Sequence, residues 1–416
     1  MNIWLIQTGE SLPIRSGVRK MRTAILADKL LERGHNIFWW ASAFEHQQKE
    51  MVSKKDKNFD ISKEYIIRVL KGCRYYKNIT LTRYLNYKIM ALKFRFQANK
   101  FPKPDIIVAA MPDHLLAYEA AQFAYRNSIP FLVDIRDLWP ETFLGGIKNP
   151  IFYKLVRMFL TFDFARLFFL LKNADALIAI SKGILQWGLD KIGRSQSLLD
   201  KVFYLGYKAS SDKVVNLSKK KEAFAWLKKI EKKKIFIFIG TFGVSYELDL
   251  ILEAAKRFDR LGKIDICFVL AGTGEKFGLI SEKALGLDNV ILPGWIGKNE
   301  INALLKMGYV GMVPCRSVKN AIPNKPFEYL SAGLPIISSL EGEMANLIEQ
   351  YNFGLNYSPG DLNGLFNCIE RLAFDHNLCN NMSISSMNFF NKYGNADKIY
   401  EKYVNHIEYI VKRRSN

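Results

Sequence analysis

Cysteine is scarce in this chain of 416 residues: five are present, Cys73, Cys267, Cys315, Cys368 and Cys379, and no two form a CxxC pair. That scatter excludes a disulfide framework and a cysteine zinc site, and it points to a reducing compartment. The five histidines form no ligand-like cluster. No strand is followed by a DxD-type carboxylate pair, so no metal is implied. No run of about 18 or more residues is apolar and free of charge, which leaves no spanning helix. Internal repeats, low-complexity tracts and nucleic-acid module signatures are absent as well. The opening Met1-Asn-Ile-Trp-Leu-Ile-Gln7 is too short and uncharged for a signal peptide and reads as a first strand.

Acid is also in deficit. Forty Asp and Glu stand against sixty Lys and Arg, a formal net charge of +20. Nucleic acid and an anionic lipid surface are the two partner classes such a balance suits. Much of the charge is dispersed, as in 49–57 and 219–234, where a solvated face is the plain reading. The hydrophobic fraction of 49% is that of a folded globular chain, and the length suits two domains.

Strand and helix patterns alternate. Strands are predicted over 2–7, 36–41, 65–70, 105–110, 131–134 and 176–180, with helices between most of them, as over 19–33 and 114–127. A second series follows at 234–240, 265–272, 289–293, 308–314 and 335–339. Each series predicts an α/β, doubly wound, Rossmann-like domain with a parallel sheet covered by helices on both faces. Ligands are expected at the carboxyl ends of the strands, in a cleft where the two domains face each other. The segment 53–60, S-K-K-D-K-N-F-D, reads as a mobile loop. A final helix over 396–413 places Ile399, Tyr403, Ile407 and Ile410 on one face.

The most informative segment is Asn320-Ala-Ile-Pro-Asn-Lys-Pro-Phe-Glu-Tyr-Leu-Ser-Ala-Gly-Leu-Pro-Ile-Ile-Ser339. It reads as a loop carrying Lys325, a short helix carrying Glu328, and a turn into an apolar strand. A lysine and a helix N-terminus favour phosphate, and a carboxylate accepts from ribose hydroxyls. The wording N-K-P-F-E-Y-L-S-A-G-L-P-I-I resembles the donor-site motif of the family 4 glycosyltransferases, which have the GT-B fold. The run Leu30-Leu-Glu-Arg-Gly-His-Asn36 is similar to another turn of that family. Val133-Asp-Ile-Arg-Asp-Leu-Trp-Pro-Glu141 looks like the signature of a bacterial subgroup that builds capsule, O-antigen and related surface polysaccharides.

The resemblance covers nearly the whole chain and is closest in 1–40, 130–141 and 235–340. It implies residues 1–205 as an acceptor-side domain, 206–394 as the nucleotide-sugar domain, and 395–416 as a helix crossing back to the first. Lys325 would bind diphosphate and Glu328 the ribose. Gly17, after the first strand, and Gly240 and Gly243, after the strand at 234–240, would give close backbone approach to phosphates. Trp295 and Ile296 would lie beside the base. Only half of the family's E-x7-E pair is present, because Asn320 stands where the first glutamate is usual; Asn320 can still hydrogen-bond a donor sugar. Many relatives have His-Asp where this chain has Arg136-Asp137. Asp137 is therefore a base or a sugar-hydroxyl acceptor, Arg136 a support for the leaving diphosphate, and the pair is alternatively a helix cap with its arginine. His114, near a helix start, is a further catalytic candidate or a simple cap.

The stretch 150–173 joins a broad aromatic and leucine side to the basic residues Lys154, Arg157 and Lys172. It suits a membrane interface, or alternatively a helix buried in the first domain. Asp163 and Arg166, three apart, are placed to pair. The resemblance implies a retaining hexosyl- or N-acetylhexosaminyltransferase taking a nucleotide diphosphate sugar, UDP-sugar favoured, to a polyprenyl-diphosphate-linked saccharide. It would use no cofactor and no metal, bind no nucleic acid, and work in the cytoplasm, peripherally on the inner membrane face through 151–171. The rival readings are a nucleotide-sugar epimerase of the same fold and a degenerate membrane or nucleic-acid adaptor.

Overall fold

The computed structural model describes residues 1–15, 18, 20–76, 80–145, 147–208, 225–228, 230, 232–316 and 322–415. The chain forms two compact units, Met1–Phe203 with Tyr400–Asn416, and Tyr204–Ile399.

In chain order the first unit begins β1 (Asn2–Ile6), α1 (Arg22–Glu32), β2 (Asn36–Ser42) and the short pair β3 (Phe44–Glu45) and β4 (Glu50–Met51). It continues β5 (Lys57–Ser62), β6 (Tyr65–Leu70), α2 (Leu81–Gln97), β7 (Ile106–Ala110), α3 (His114–Arg126) and β8 (Phe131–Ile135). Then follow α4 (Pro150–Phe159), α5 (Thr161–Lys172), β9 (Ala176–Ala179), α6 (Lys182–Ile192) and β10 (Lys201–Val202). The eight-stranded sheet has the order β10-β9-β8-β7-β1-β2-β6-β5. Every neighbour is parallel except β5, which lies antiparallel to β6 at the edge. The central strands IIVAA and FLVDI are buried at every residue, as strands covered on both faces must be. On one face Trp4 stacks on Phe123 at 5.2 Å and meets Trp40 edge-on at 5.4 Å.

Two expectations need correction here. Residues 57–62 are not loop but the edge strand β5, whose Phe59 and Asp60 register with Ile67 and Ile66. Asp56 just before it accepts hydrogen bonds from the Lys71 backbone, Lys93 and Gln97 at 2.6–2.7 Å, which pins the segment. The stretch 150–173 is not one helix: it breaks at Leu160 into α4, which buries no residue, and α5, which buries Asp163, Leu167, Leu170 and Leu171.

The second unit runs α7 (Ala225–Lys228), β11 (Lys234–Ile239), α8 (Leu248–Arg260), β12 (Ile266–Ala271), α9 (Phe277–Lys283), β13 (Val290–Gly294) and α10 (Lys298–Met307). It continues β14 (Val310–Val313), α11 (Asn324–Ser331), β15 (Ile336–Ser338), α12 (Glu343–Tyr351), β16 (Gly354–Asn356), α13 (Leu362–Phe374) and α14 (His376–Phe389). Its six-stranded sheet, in the order β13-β12-β11-β14-β15-β16, is parallel throughout. The period of two in β11 assigns each side chain to a layer. Ile235, Ile237 and Ile239 join Phe327, Tyr329 and Leu347 on one face. Phe236 and Phe238 join Phe258, Leu365 and Ile369 on the other.

The last helix, α15 (Ala396–Ser415), belongs to the first unit from Tyr400 onward. There Tyr403 stacks on Phe203 at 4.6 Å, His406 bonds the Leu199 carbonyl, and Glu408 holds Arg33 and His35.

Candidate active site

Parallel strands deliver all their carboxyl ends to one edge of a sheet. In the second unit that edge receives Gly240–Gly243 after β11, Gly272–Gly274 after β12, Trp295 and Ile296 after β13, and Cys315 after β14. Helix α11 begins there too, with Lys325 as its second residue. The ends of β11 and α11 are tied directly, because the Ile239 backbone N–H donates to the Tyr329 hydroxyl at 2.9 Å. Burial of Phe327 and Tyr329 fixes the helix rotation.

Lys325 Nζ donates to the Tyr246 hydroxyl at 2.6 Å and lies 5.2 Å from the Phe238 ring centre. Burial pushes the lysine below its ordinary range, while Cys315 and Glu328 oppose the shift. Glu328 is itself buried, on the same helix. A Cβ at Gly240 would run into the Lys325 Cε and Nζ, and one at Gly272 into the Gly240 carbonyl. Gly272 is therefore required by the chain's own close packing, whereas a side chain at Gly240 would have to displace the end of Lys325. Gly243 differs: a Cβ there would meet nothing within 4 Å. Its glycine answers no internal contact. Trp295 is 76% exposed, whereas Ile296 is buried in the core. Gly17 and Asn320 lie outside the described residues.

In the first unit the end of β8 carries Asp134, Arg136 and Asp137. Asp134 is fully buried and accepts from Arg22 Nε at 2.8 Å and from Arg136 Nε at 2.9 Å. Arg136 also donates to Glu10 and to the Thr23 hydroxyl, and Glu10 accepts from the Thr23 backbone. Arg22 further donates to the Phe203 carbonyl at 2.8 Å and faces the Tyr403 ring at 5.3 Å. Burial raises the Asp134 carboxyl, but Arg136 and Arg22 outweigh it and hold the group below its usual range.

Asp137 accepts from the Leu138 N–H at 2.8 Å, the Trp139 Nε1 at 2.9 Å and the Thr142 hydroxyl at 3.3 Å. That is a cap on the turn it opens. His114 is buried, with its Nε2 3.5 Å from Asp163 Oδ1, an ion-pair distance without hydrogen-bond geometry. Asp163 also takes the Tyr84 hydroxyl at 2.6 Å and Arg166 at 3.2 Å, so the expected pair is formed. His114 thus sits inside a junction of α2, α3 and α5.

Tyr246, Glu10 and Arg22 carry much of this geometry and had no motif to mark them. Their partners are 79, 126 and 112 residues away. Among the described residues no group of His, Cys, Asp and Glu is arranged to hold a metal ion.

Residues 233–375, within the second unit, match the model of the family Glycosyl transferases group 1. No curated protein matches the sequence. Among solved structures, sucrose-phosphate synthase from Thermosynechococcus elongatus aligns with TM-score 0.73 at 16% identity, covering 99% of both chains. HepE from Anabaena, in complex with UDP-glucose, aligns with TM-score 0.62 at 14% identity, over 98% of this chain and 99% of that one. WaaG, a glycosyltransferase involved in lipopolysaccharide biosynthesis, gives 0.64 at 11% identity, over 96% and 98%.

The fold is GT-B. In GT-B terms the second unit, which holds the matched residues, carries the glycine loops and α11, and the first carries the Asp134 network.

Proposed function

We propose that the chain is a retaining glycosyltransferase that moves a sugar from a nucleotide diphosphate sugar, UDP-sugar favoured, to an acceptor hydroxyl. The observation that carries the proposal is the half-buried Lys325 ammonium at the start of α11, at the strand-end edge and inside the matched segment. A desolvated cation with a hydroxyl as its near neighbour gains most from a diphosphate. In this reading Lys325 and the α11 N-terminus take the charge that develops on the leaving diphosphate, which removes the need for a metal. Glu328 accepts from the ribose, Gly243 admits the phosphate backbone, and the exposed Trp295 flanks the base, with Ile296 anchoring that loop in the core. Asp137 is the first unit's carboxylate for the acceptor side. Arg136, with its donors already engaged by Asp134, Glu10 and Thr23, supports that loop.

The binding test is titration calorimetry with UDP, GDP and ADP. Lys325→Ala and Glu328→Ala should each lose about 1.5–3 kcal/mol toward the responsive nucleotide. Unchanged affinity in both variants removes the donor site from α11. Hydrolysis of the nucleotide sugar with and without an acceptor separates transfer from epimerisation or mere binding.

The acceptor we propose is a polyprenyl-diphosphate-linked saccharide of bacterial surface-polysaccharide synthesis, such as capsule or O-antigen, met at the cytoplasmic face of the membrane. Support comes from α4, where Ile151, Phe152, Leu155, Met158 and Phe159 are all exposed, and from Phe162 on α5. Lys154 and Arg157 lie among them. No helix among the described residues is long and apolar enough to cross a bilayer, so contact would be interfacial. Leu160, Leu167, Leu170 and Leu171 are buried, which restricts the surface to α4 and the outer side of α5.

A further inference from the structure

Helix α2 turns a second apolar stripe to solvent. Leu81 and Phe96 are 78% and 72% exposed, and Leu85 and Leu92 are exposed between them. Positions four, seven and four residues apart share one side of a helix. The opposite side, with Tyr84, Tyr87, Met90 and Phe94, is buried. The stripe adjoins α4: the Tyr84 and Phe159 rings are 6.0 Å apart, and Lys88 Nζ lies 4.7 Å from the first ring centre and 6.0 Å from the second.

Charge follows the same surface. On α2, which has no acid, the exposed cations are Lys88 and Arg95; Arg83 is buried on the far side and Lys93 is paired with Asp56. Residues 150–172 hold Lys154, Arg157, Arg166 and Lys172 against one acid, Asp163, which is buried and engaged internally. Among the described residues Lys88, Lys154 and Arg157 have no carboxylate partner. Between α2, α3 and α5 lies a pocket of about 220 Å³ lined by Lys88, Leu92, Tyr118, Glu119 and Arg166. Burial holds the Glu119 carboxyl above its ordinary range, with Arg95, Arg126 and Arg166 opposing.

We propose that α2 and α4 form one docking surface for a leaflet containing anionic phospholipid, and that the pocket beside Lys88 and Arg166 takes a lipid phosphate. The proposal rests on the reading of α4 as a membrane contact and extends it to a second helix and a headgroup site. Charge complementarity selects this occupant. A second copy of the chain would bring the same cations against each other, whereas an anionic leaflet meets them with opposite charge and accepts the apolar side chains. Glu119 is the acid that an incoming phosphate would face, and its carboxylate would oppose the anion.

The test is sedimentation of the full chain with phosphatidylcholine vesicles, with and without phosphatidylglycerol. Wild-type protein should pellet with the anionic vesicles only. Lys88→Ala should weaken that partition by about fivefold, while Lys63→Ala, an equal charge loss at the exposed β5–β6 turn, should leave it within twofold. Leu85→Ser with Leu92→Ser should release the protein, and Glu119→Gln should tighten it. Melting temperature and nucleotide affinity monitor folding; where the double variant is destabilised, Lys88→Ala against Lys63→Ala decides. Normal binding by the α2 variants, with release of a Phe152→Ser, Leu155→Ser variant, overturns this proposal and leaves the α4 reading standing. No binding by wild type overturns both. Equal effects of Lys88→Ala and Lys63→Ala overturn the headgroup site. So does competition by millimolar inorganic phosphate, which would make the pocket a free-phosphate site. Self-association that is lost in Leu85→Ser, Leu92→Ser would assign the stripe to a second copy.

Discussion

Asp134 and Arg136, two residues apart at the end of β8, hold each other, with Arg136 Nη2 at 2.8 Å from Asp134 Oδ2. Arg22 closes on the same carboxylate from the start of α1. Two cations and the two carboxylates Asp134 and Glu10 thus neutralise one another out of water. Removing one member of such a group leaves its partners buried and uncompensated, which costs about 3–5 kcal/mol. Asp134→Asn should therefore lower unfolding stability by that amount in urea titrations. The Asp134 carboxyl is held below its usual range, so its contribution is present above the unfolded value of roughly 3.9 and is lost as pH falls through the lower folded value. A loss under about 1 kcal/mol would mean the network is solvated and worth little.

Asp137 makes a different prediction, because its bonds are local. In Asp137→Asn an amide N–H replaces one acceptor and faces the Trp139 Nε1 donor, at a side chain that is fully buried. Stability should fall by about 1–3 kcal/mol. If Asp137 also acts on the acceptor, turnover well below the melting temperature should drop by about 100-fold or more. Wild-type turnover by the folded variant would reduce Asp137 to a cap.

The Lys325 shift carries a sign that can be measured. Its folded pKa is depressed by burial, so the unfolded chain holds that proton more tightly. Stability from this group then rises with pH from the folded value up to the unfolded one near roughly 10.4. A bound diphosphate favours the ammonium and reverses the preference. Nucleotide affinity should fall as pH climbs through the depressed value, with proton uptake on binding in that range. Calorimetry in buffers of different ionisation enthalpy reads the uptake, and Lys325→Met should abolish it. The same pH dependence in both proteins would assign the proton elsewhere.

Gly243 separates packing from ligand approach. Alanine there meets nothing in the protein, so the melting temperature of Gly243→Ala should match wild type. If a phosphate lies against that backbone, nucleotide affinity should nevertheless fall by about tenfold, one lost contact of ~1.4 kcal/mol. Retained affinity would move the phosphates away from this loop.

The parallel sheets were legible because strands buried on both faces read as unbroken apolar runs: I-I-V-A-A and K-I-F-I-F-I could be little else. The edge strand β5 was not, since in K-N-F-D-I-S only the adjacent Asn58 and Phe59 are half-buried, with no period of two, and the segment owes its order to pairing with β6. The break at Leu160 carries no proline or glycine to announce it; Thr161 bonding back to the Met158 carbonyl is visible only in three dimensions. Lys325 was singled out by its neighbours in sequence, the N-K-P-F-E run, which lies at the start of α11. Tyr246, Arg22 and Glu10 were not, because each acts through a contact across the fold rather than through its neighbours in sequence.

The membrane reading of α4 stands on exposure, and exposure can be tested by making those positions polar. Phe159 and Phe168 are 58% and 43% exposed, so serine at both should cost the fold little. It should cost a membrane contact far more, since each aromatic ring moved out of an apolar setting forfeits about 1.5–3 kcal/mol. Phe159→Ser with Phe168→Ser is therefore expected to leave the melting temperature near that of wild type and to release the chain from anionic vesicles. Activity on a soluble acceptor should persist, while transfer to an acceptor embedded in vesicles should drop. Aggregation or a large loss of stability, with vesicle binding unchanged in the fraction that remains folded, would return both rings to the first unit's core and leave the positive charge of α4 as a solvated face.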